Sequence, residues 1–256
     1  MGHHFFFGNV LDDFEQPENR SAKIWRFMTF AKYISLLETR SIFFTRADIL
    51  AKEDPLEGSS AHGTVEAREK FLSFAPRRHR AWMEKIKSAL RDKTVAQSTY
   101  ISCWHLNEYE SQGMWKLYTD GPEGLAIQSQ FDALETCLKA SVEEICIGCI
   151  HYIDFTKDKT TDGFFRPFYQ KSHAFRHECE VRAIIFPRGI PEDPPGPSEI
   201  ASGRRVKVDL GSLIKAVHIS PFAPSWFQDL VISVTRRYGL DVPIKPSALR
   251  EVEPIY

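Results

Sequence analysis

A short acidic segment that opens an apolar run is the strongest constraint on the fold of this chain. Residues 178–186 read Glu-Cys-Glu-Val-Arg-Ala-Ile-Ile-Phe, and the β-branched and apolar residues predict a buried strand. Because side chains alternate along a strand, we expect Glu178, Glu180 and Arg182 on one face, with the two carboxylates roughly 7 Å apart. Like charges on a buried face destabilise a sheet unless a cation lies near them. The segment therefore predicts either a functional site or a structural ion-pair ladder through Arg182.

The composition fits one folded domain. The chain has 256 residues, of which 43% are hydrophobic, and this length can bury one large core. Hydrophobic periods of two and of 3.6 residues alternate along the chain without an internal repeat. We predict a single α+β domain over residues 21–256, with a split, mainly antiparallel sheet core and flanking helices. Residues 1–20 are interpreted as an N-terminal extension, and the proline-rich residues 187–199 as an exposed excursion.

Charge and cysteine content argue against several classes of protein. The 33 basic and 34 acidic residues balance, so no global field draws the chain to nucleic acid or to a membrane. No segment approaches the ~18 apolar residues of a membrane span, and the first residues lack the pattern of a signal peptide. The five cysteines are scattered, which indicates a reducing compartment. We therefore predict a cytoplasmic protein that does not act at a membrane.

One cysteine pair invites a metal interpretation. Cys146 and Cys149 are followed by His151, but a structural zinc site needs four ligands and no second pair of this kind occurs. The surrounding residues are typical of a strand in which Cys146 is a small hydrophobic side chain. We therefore predict no metal site.

Two further groups of residues could carry function. Trp115 and Tyr118 are three residues apart, which places them on one helix face, where they would either wall a pocket for a planar ring or belong to the core. The basic residues between 77 and 93 are interspersed with acidic ones and show no aromatic stacking pattern. We interpret them as a solvated helix face rather than as a nucleic-acid site.

The order of several short motifs is more specific than any one of them. In chain order they are Asp54-Pro-Leu-Glu-Gly58, Ile101-Ser-Cys-Trp104, Met114-Trp115-x-x-Tyr118, Gly124-x-x-Ile127, Lys171, Glu178-x-Glu180-x-Arg182 and Ile219-Ser-Pro221. This order resembles a widespread bacterial and phage family that is catalogued as domain of unknown function 2971. The resemblance covers nearly the whole chain, but Glu53 stands where the family usually has Asn. The family name implies no activity.

A second resemblance does imply one. An Arg on a first strand, a Ser on a middle strand and Glu-x-Glu at a late strand are similar to the Arg-Ser-Glu arrangement of ADP-ribosyltransferases, which fold as two facing sheets that grip NAD. The resemblance implies that Arg26 holds a phosphate or ribose of NAD and that Ser102, or less favourably Ser98, braces the nicotinamide end. It also implies that Glu180 is the catalytic carboxylate and that Glu178 faces the acceptor.

The predicted NAD site is completed by residues outside that triad. Trp115, Tyr118 and Lys171 join Arg26 and Ser102 as expected NAD-binding residues. An ionised Glu at such a site stabilises the positive charge that develops when the nicotinamide–ribose bond breaks. The expected reaction is transfer of ADP-ribose to an unidentified protein or nucleic acid, or hydrolysis of NAD, in phage defence or as a toxin.

Two other functions remain open at this point. A metal-dependent nuclease or other phosphoester enzyme would use Glu57, Glu178, Glu180 and Lys171, since carboxylates and a lysine suit a magnesium site. A non-catalytic sensor would bind a nucleotide in the same cleft without turning it over. The sequence leaves the acceptor and the oligomeric state open.

Overall fold

The computed structural model describes residues 14–74, 94–159, 165–187 and 202–251, with isolated positions between 75 and 93. The start of the chain, nearly all of the proline-rich excursion and most of the basic run lie outside the described residues. Within the described residues the chain forms a single α+β domain with a mainly antiparallel sheet and flanking helices, as expected. Among the described residues, none of the helices combines the length and the apolar composition of a membrane span.

The described elements alternate between strands and short helices. The strands are β1 (Lys23–Thr29), β2 (Ser41–Arg46), β3 (Tyr100–Leu106), β4 (Gly124–Gln130), β5 (Ile145–Cys149), β6 (His151–Ile153), β7 (Gln170–Ser172), β8 (Glu180–Ile185), β9 (Gly203–Lys207), β10 (Ala216–Ile219) and β11 (Ile244–Pro246). The α-helices are α1 (Phe30–Thr39), α2 (Ala47–Leu50), α3 (His62–Phe74), α4 (Thr94–Gln97), α5 (Gln112–Tyr118), α6 (Phe131–Lys139), α7 (Leu210–Leu213), α8 (Ser225–Arg237) and α9 (Ala248–Glu251). Two 3-10 helices span Arg166–Tyr169 and His173–Glu178.

Local sequence explains why the first helix starts and stops where it does. The Thr29 side chain accepts a hydrogen bond from the backbone N–H of Lys32, which caps the free donors of α1. Tyr33, Leu36 and Leu37 recur at helical spacing and are buried against the sheet. Arg40 then takes a left-handed conformation, with φ of 43°, and its N–H bonds to the Leu37 carbonyl. The chain can therefore turn directly into β2.

Strand β3 is the centre of the main sheet. It pairs antiparallel with β8 from Tyr100↔Ile185 to His105↔Glu180. On its other edge, β1 pairs with it only at Ile24↔Leu106 and Trp25↔His105, and β2 pairs only at Thr45↔Ile101 and Arg46↔Tyr100. The strands β1 and β2 therefore leave the middle of β3 uncovered on that edge and diverge from each other.

The two faces of this sheet have different contents. On one face, Trp104 and Val181 join the core that packs against α1, α6 and α8. On the other face, Cys103 is paired with Arg182 and His105 with Glu180. Because paired residues share a face, the charged start of β8 lies on the side away from the main helical core.

One carboxylate, Glu110, adds to the strand pairing between β10 and β11 that holds the C-terminal segment. It accepts hydrogen bonds from Trp115 Nε1 at 3.0 Å, from Ser247 Oγ at 2.5 Å and from the Ala248 N–H at 2.8 Å. The Nδ1 atom of His218 lies 3.5 Å away. Burial acts to raise the pKa of Glu110, but His218 and the three donors outweigh it and lower the pKa to about 2.

We expect Glu110→Gln to lower the free energy of unfolding by about 1–3 kcal/mol at neutral pH, because the amide leaves at least one of the donors without an acceptor. The folded pKa lies below the ordinary value of 4.5, so the stabilisation is present above that value and is lost as pH falls towards about 2. Urea unfolding of both proteins across this range should show the difference shrinking with acid. A difference that is constant with pH would contradict the role of the charge.

Candidate functional site

Five charged side chains, four from residues 171–182 and one from residue 57, meet on the face of β8 that lies away from the main helical core. We call Glu57, Lys171, Glu178, Glu180 and Arg182 the charged cluster. Each is less than a tenth exposed. Charged residues are rarely buried to this extent unless they are paired. The burial of the cluster therefore depends on the pairing of its charges.

Arg182 is the inner centre of the cluster. Its guanidinium forms a bidentate pair of hydrogen bonds with the Glu57 carboxylate, with Nη1–Oε1 at 2.7 Å and Nη2–Oε2 at 2.8 Å. Its Nε donates to Glu180 Oε1 at 2.6 Å, and Nη1 also donates to the Phe168 carbonyl at 2.7 Å. Such two-pronged carboxylate pairs are the strong form of this interaction. The interpretation of Arg182 as the cation that compensates the acidic segment is consistent with this geometry.

Glu57 reaches Arg182 because of a turn between α2 and α3. The Asp54 side chain accepts from the Leu56 N–H at 3.0 Å, and the Asp54 carbonyl accepts from the Glu57 N–H at 2.9 Å. Gly58 follows with φ of 71°, and a Cβ there would lie 2.9 Å from the ring of Phe168. The motif Asp54-Pro-Leu-Glu-Gly58 is therefore a turn that places a carboxylate inside the molecule.

Lys171 links the inner and outer carboxylates. Its Nζ bonds to Glu178 Oε2 and lies 3.1 Å from Glu180 Oε2. The ring of Phe175 packs under the same nitrogen, with its centroid 4.7 Å away. Each residue of the charged cluster is therefore paired with the next, in the order Glu57, Arg182, Glu180, Lys171, Glu178.

Burial and pairing set the protonation of the cluster. Burial acts to raise the pKa of Glu180, but Arg182 and Lys171 outweigh it and lower this pKa to about 2. Burial acts to lower the pKa of Lys171 and of Arg182, and the neighbouring carboxylates raise both above their ordinary values. Burial raises the pKa of Glu57 despite its bonds to Arg182. Glu180 and its two cationic partners are therefore charged at neutral pH.

The expectation that Glu178 and Glu180 share one strand face is wrong. Glu178 is the last residue of the 3-10 helix His173–Glu178, and β8 starts only at Glu180. Between them Cys179 takes a left-handed conformation with φ of 40°, which is uncommon for a residue other than glycine. The chain therefore turns between the two carboxylates. They meet through Lys171 rather than as neighbours along a strand.

Glu178 is the outer end of the charged cluster, and it contacts a residue at the surface, Tyr118. The Tyr118 hydroxyl donates to Glu178 Oε1 at 3.1 Å, and the residue is 37% exposed. Burial of the hydroxyl and the charge of Glu178 raise the pKa of Tyr118, so the phenol keeps its proton at neutral pH. The backbone carbonyl of Glu178 accepts a hydrogen bond from His105 Nδ1 at 2.6 Å. Glu178 is therefore fixed in position beside an accessible aromatic ring.

The structure does not bring Arg26 and Ser102 to this site. The pairs Ile24↔Leu106 and His105↔Glu180 place Arg26, Ser102 and Trp104 on the face opposite Glu180. Arg26 instead donates to the Phe43 carbonyl at 2.8 Å and lies over the Trp104 ring, and burial lowers its pKa to about 10. This placement corrects the expected convergence of the Arg-Ser-Glu set.

Ser102 has a structural role in this arrangement. It is 1% exposed, and its Oγ accepts a hydrogen bond from the Nε1 of Trp104 at 3.2 Å. Ser98, the less favoured choice, precedes β3 and is not among the residues of the charged cluster. Neither serine contacts Glu178 or Glu180 among the hydrogen bonds of the described residues.

Trp115 and Tyr118 do not form one aromatic wall. Trp115 is fully buried and meets Phe27 edge to face at 4.9 Å, whereas Tyr118 lies at the surface. The Trp115 indole also donates to Glu110, which belongs to the C-terminal attachment described above. Trp115 is therefore a core residue, and of the two aromatic residues only Tyr118 could line a ligand site.

The carboxylates offer little to a metal ion. Their oxygens face the nitrogens of Arg182 and Lys171, and no group of three or more His, Cys, Asp or Glu among the described residues has the geometry of a metal site. Cys146 is buried in the core, and its spacing from Cys149 along β5 points the two side chains to opposite faces. The geometry therefore gives the metal-dependent alternative no support.

Three further groups complete the site, and none of them was among the site residues predicted from the sequence. Cys103, paired with Arg182 across the sheet, contacts Glu180, and burial raises its pKa well above the ordinary value. The Tyr152 hydroxyl accepts from the Glu180 N–H at 2.8 Å, and His105 holds Glu178. The Cys103 and His105 pair was visible in the sequence as neighbours on one strand face, but nothing local indicated their carboxylate partners.

Comparison of the chain with protein families, with curated proteins and with solved structures found no match.

Proposed function

We propose that this chain is an NAD-using enzyme of the ADP-ribosyltransferase type, which transfers ADP-ribose to a macromolecule or hydrolyses NAD. The proposed reacting centre is the outer end of the charged cluster, where Glu178, Lys171 and Tyr118 meet. One observation carries this proposal. The Glu178 carboxylate is held in position beside the accessible ring of Tyr118, and it shares Lys171 with the buried carboxylate of Glu180.

The charge of the cluster suits this chemistry. Three carboxylates face two cations, so the five side chains carry a net negative charge when all are ionised. Cleavage of the nicotinamide–ribose bond creates positive charge on the ribose in the transition state. In bound NAD this charge is on the nicotinamide ring, and it moves to the ribose as neutral nicotinamide leaves. A preorganised negative site beside the ribose and shielded from water therefore stabilises the transition state more than it stabilises bound NAD.

The bonding pattern supports different roles for the two glutamates in this proposal. Both oxygens of Glu180 are engaged by cations, through Arg182 at 2.6 Å and Lys171 at 3.1 Å. Glu178 Oε1 instead takes a neutral hydrogen bond from Tyr118, which is weaker than a bond from a cation. A ribose hydroxyl can donate a second hydrogen bond to this oxygen, because a carboxylate oxygen has two acceptor lone pairs. In this proposal Glu178 contacts the ribose, and Glu180 is the positioning residue that keeps Lys171 and the local charge in place.

The phosphates of NAD need a cation other than Arg26, because Arg26 lies on the opposite face. The 3-10 helix that ends at Glu178 carries His173, Arg176 and His177, all of which are exposed. Arg176 is two residues from Glu178 and can bind a phosphate with two parallel hydrogen bonds. The proposal therefore moves the phosphate contact from Arg26 to this helix.

The test is release of nicotinamide from NAD by purified protein, with mass analysis of the reaction products. We expect Tyr118→Phe to lower the rate about tenfold, the effect of losing about 1.4 kcal/mol from one hydrogen bond that orders Glu178. Tyr109→Phe is a matched control, since Tyr109 is 77% exposed and its ring is outside the cluster. NAD binding without nicotinamide release would favour the nucleotide sensor. Absence of both binding and release would refute the proposal.

A further inference from the structure

The outer face of α8 carries exposed side chains, whereas its inner face holds the helix on the domain. Phe227, Val231 and Thr235 recur every four residues and are buried, and the first two belong to the core on the side of the sheet opposite the charged cluster. On the outward side, the exposed residues are Trp226, Asp229, Leu230, Ser233, Arg236 and Arg237. The inference drawn from this outer face therefore does not rest on the proposed function.

The middle of the outer face is apolar. Trp226 is 53% exposed and Leu230 is 38% exposed, and they are one turn apart, so their side chains are neighbours on the helix surface. Ser233, one turn further on, is small and leaves room for another helix to approach. Tryptophan is enriched among the residues that contribute most to binding at the centre of protein interfaces. The outer face therefore has an apolar centre of the kind that a protein partner covers.

Three charges border this apolar centre, and each is available to a partner. Asp229 lies in the first half of α8, and Arg236 and Arg237 lie in its last turn. Within the part of the chain that the structure describes, none of the three takes part in an ion pair or a side-chain hydrogen bond. Asp229 and Arg236 are seven residues apart, which is two turns, so they lie on the same side of the outer face. One acid and one base at this spacing are complementary to an inverted copy of the same helix.

Two copies of α8 that pack antiparallel pair these charges. In an antiparallel helix pair, equal heptad positions face each other, so a two-fold axis close to Ser233 brings Asp229 of each copy opposite Arg236 of the other. The ion pair then forms twice. A parallel pair would instead place like charges together, at Asp229 and again at Arg236. The antiparallel arrangement also brings Arg237 of one copy towards Trp226 of the other, a combination that favours a cation–π contact.

We propose that the outer face of α8 binds a second copy of this chain, as an antiparallel two-fold dimer. The helix has 13 residues and is therefore about 20 Å long. A contact built on one such helix lies at the small end of specific interfaces, so we expect a weak dimer with a dissociation constant of about 10–100 μM. The mixed charges argue against an anionic membrane as the partner, because its surface would repel Asp229.

Sedimentation velocity at about 1–500 μM protein tests this proposal, and wild type should change from monomer to dimer within this range. Asp229→Arg and Arg236→Glu should each weaken the dimer about thirtyfold, because each change turns both ion pairs into repulsions. An equal mixture of the two variants should restore the wild-type affinity to within about threefold, because every position 229 then faces an opposite charge at position 236 of the other copy. Lys52→Glu is the matched control, since Lys52 is exposed between α2 and α3 and not on α8.

Removing the indole gives a second measurement. Trp226→Ala should weaken the dimer at least about tenfold, because the ring is then lost from both sides of the contact. The Trp226 ring also meets that of Phe227, with centroids 5.9 Å apart, so thermal unfolding should accompany this variant. The charge variants keep the test valid even where loss of the ring lowers stability. Wild type that stays monomeric at about 500 μM would overturn the inference. So would a dimer that neither charge variant weakens, or a mixture of the two variants that stays monomeric.

Discussion

Replacing Arg182 with methionine should destabilise the protein by about 3–5 kcal/mol, the cost of removing one partner from a buried ion pair. Arg182 is 1% exposed and binds Glu57, Glu180 and the Phe168 carbonyl. Without its guanidinium, two carboxylates and a carbonyl oxygen stay buried with fewer donors. The methionine side chain fills similar space, so the loss reports the charge rather than a cavity.

Urea unfolding at several pH values would test this prediction. In Arg182→Met the unpaired carboxylates should have raised pKa values in the folded state, so the folded protein binds more protons than the unfolded chain. The deficit in stability should therefore grow as pH rises and shrink in acid. Arg204→Met is the control, because its pair with Glu143 is 48% and 35% exposed and contributes about 0–1 kcal/mol. Equal stability of the two variants would rule out the buried network as described.

The strand at the centre of the cluster could be predicted from the sequence, but the turn just before it could not. The apolar run from Val181 to Ile185 has the composition of a buried strand, and β8 spans Glu180–Ile185. Nothing in Glu178-Cys-Glu180 signals a left-handed residue, because Cys179 is neither glycine nor asparagine. The turn is imposed by the 3-10 helix before it and by tertiary contacts of Glu178.

Strand register explains why Arg26 and Ser102 do not lie on the same face of the sheet as Glu180, as the Arg-Ser-Glu resemblance implied. The order of Arg26, Ser102 and Glu180 along the chain contains no information on which face each residue occupies. A shift of one residue in pairing exchanges the two faces of a strand. The two pairs that join β1 to β3 place Arg26 with Trp104, across the sheet from Glu180. Pairing of this kind depends on contacts between residues far apart in sequence.

Long-range contacts also explain the partner of Arg182. The sequence shows Glu57 within a polar turn, where a solvated carboxylate is the ordinary expectation. Its bond to Arg182 joins residues 125 positions apart, and the turn that carries Glu57 packs against Phe168. The ladder interpretation therefore named the correct cation. It could not name the second carboxylate that this cation holds.

The largest expected effect on activity belongs to Glu178→Gln, which should slow nicotinamide release at least about a hundredfold, equivalent to about 2.7 kcal/mol of transition-state stabilisation. The amide keeps the shape of the side chain but removes the negative charge next to the proposed ribose position. Lys171 keeps Glu180 as a partner at 3.1 Å, so the loss of folding stability should be only about 1 kcal/mol.

Comparison with Glu180→Gln separates a reacting carboxylate from a positioning one. Glu180 is bound by both Arg182 and Lys171, so its amide variant should lose stability first and activity as the cluster loosens. Glu178→Gln should instead lose activity at nearly unchanged stability and with unchanged affinity for NAD, because the charge acts in the transition state. Glu108→Gln, at an exposed pair with Lys23, should match wild type in both measurements. If wild type releases nicotinamide and Glu178→Gln does so at the same rate, Glu178 is not the reacting carboxylate. The proposed centre must then lie elsewhere in the fold.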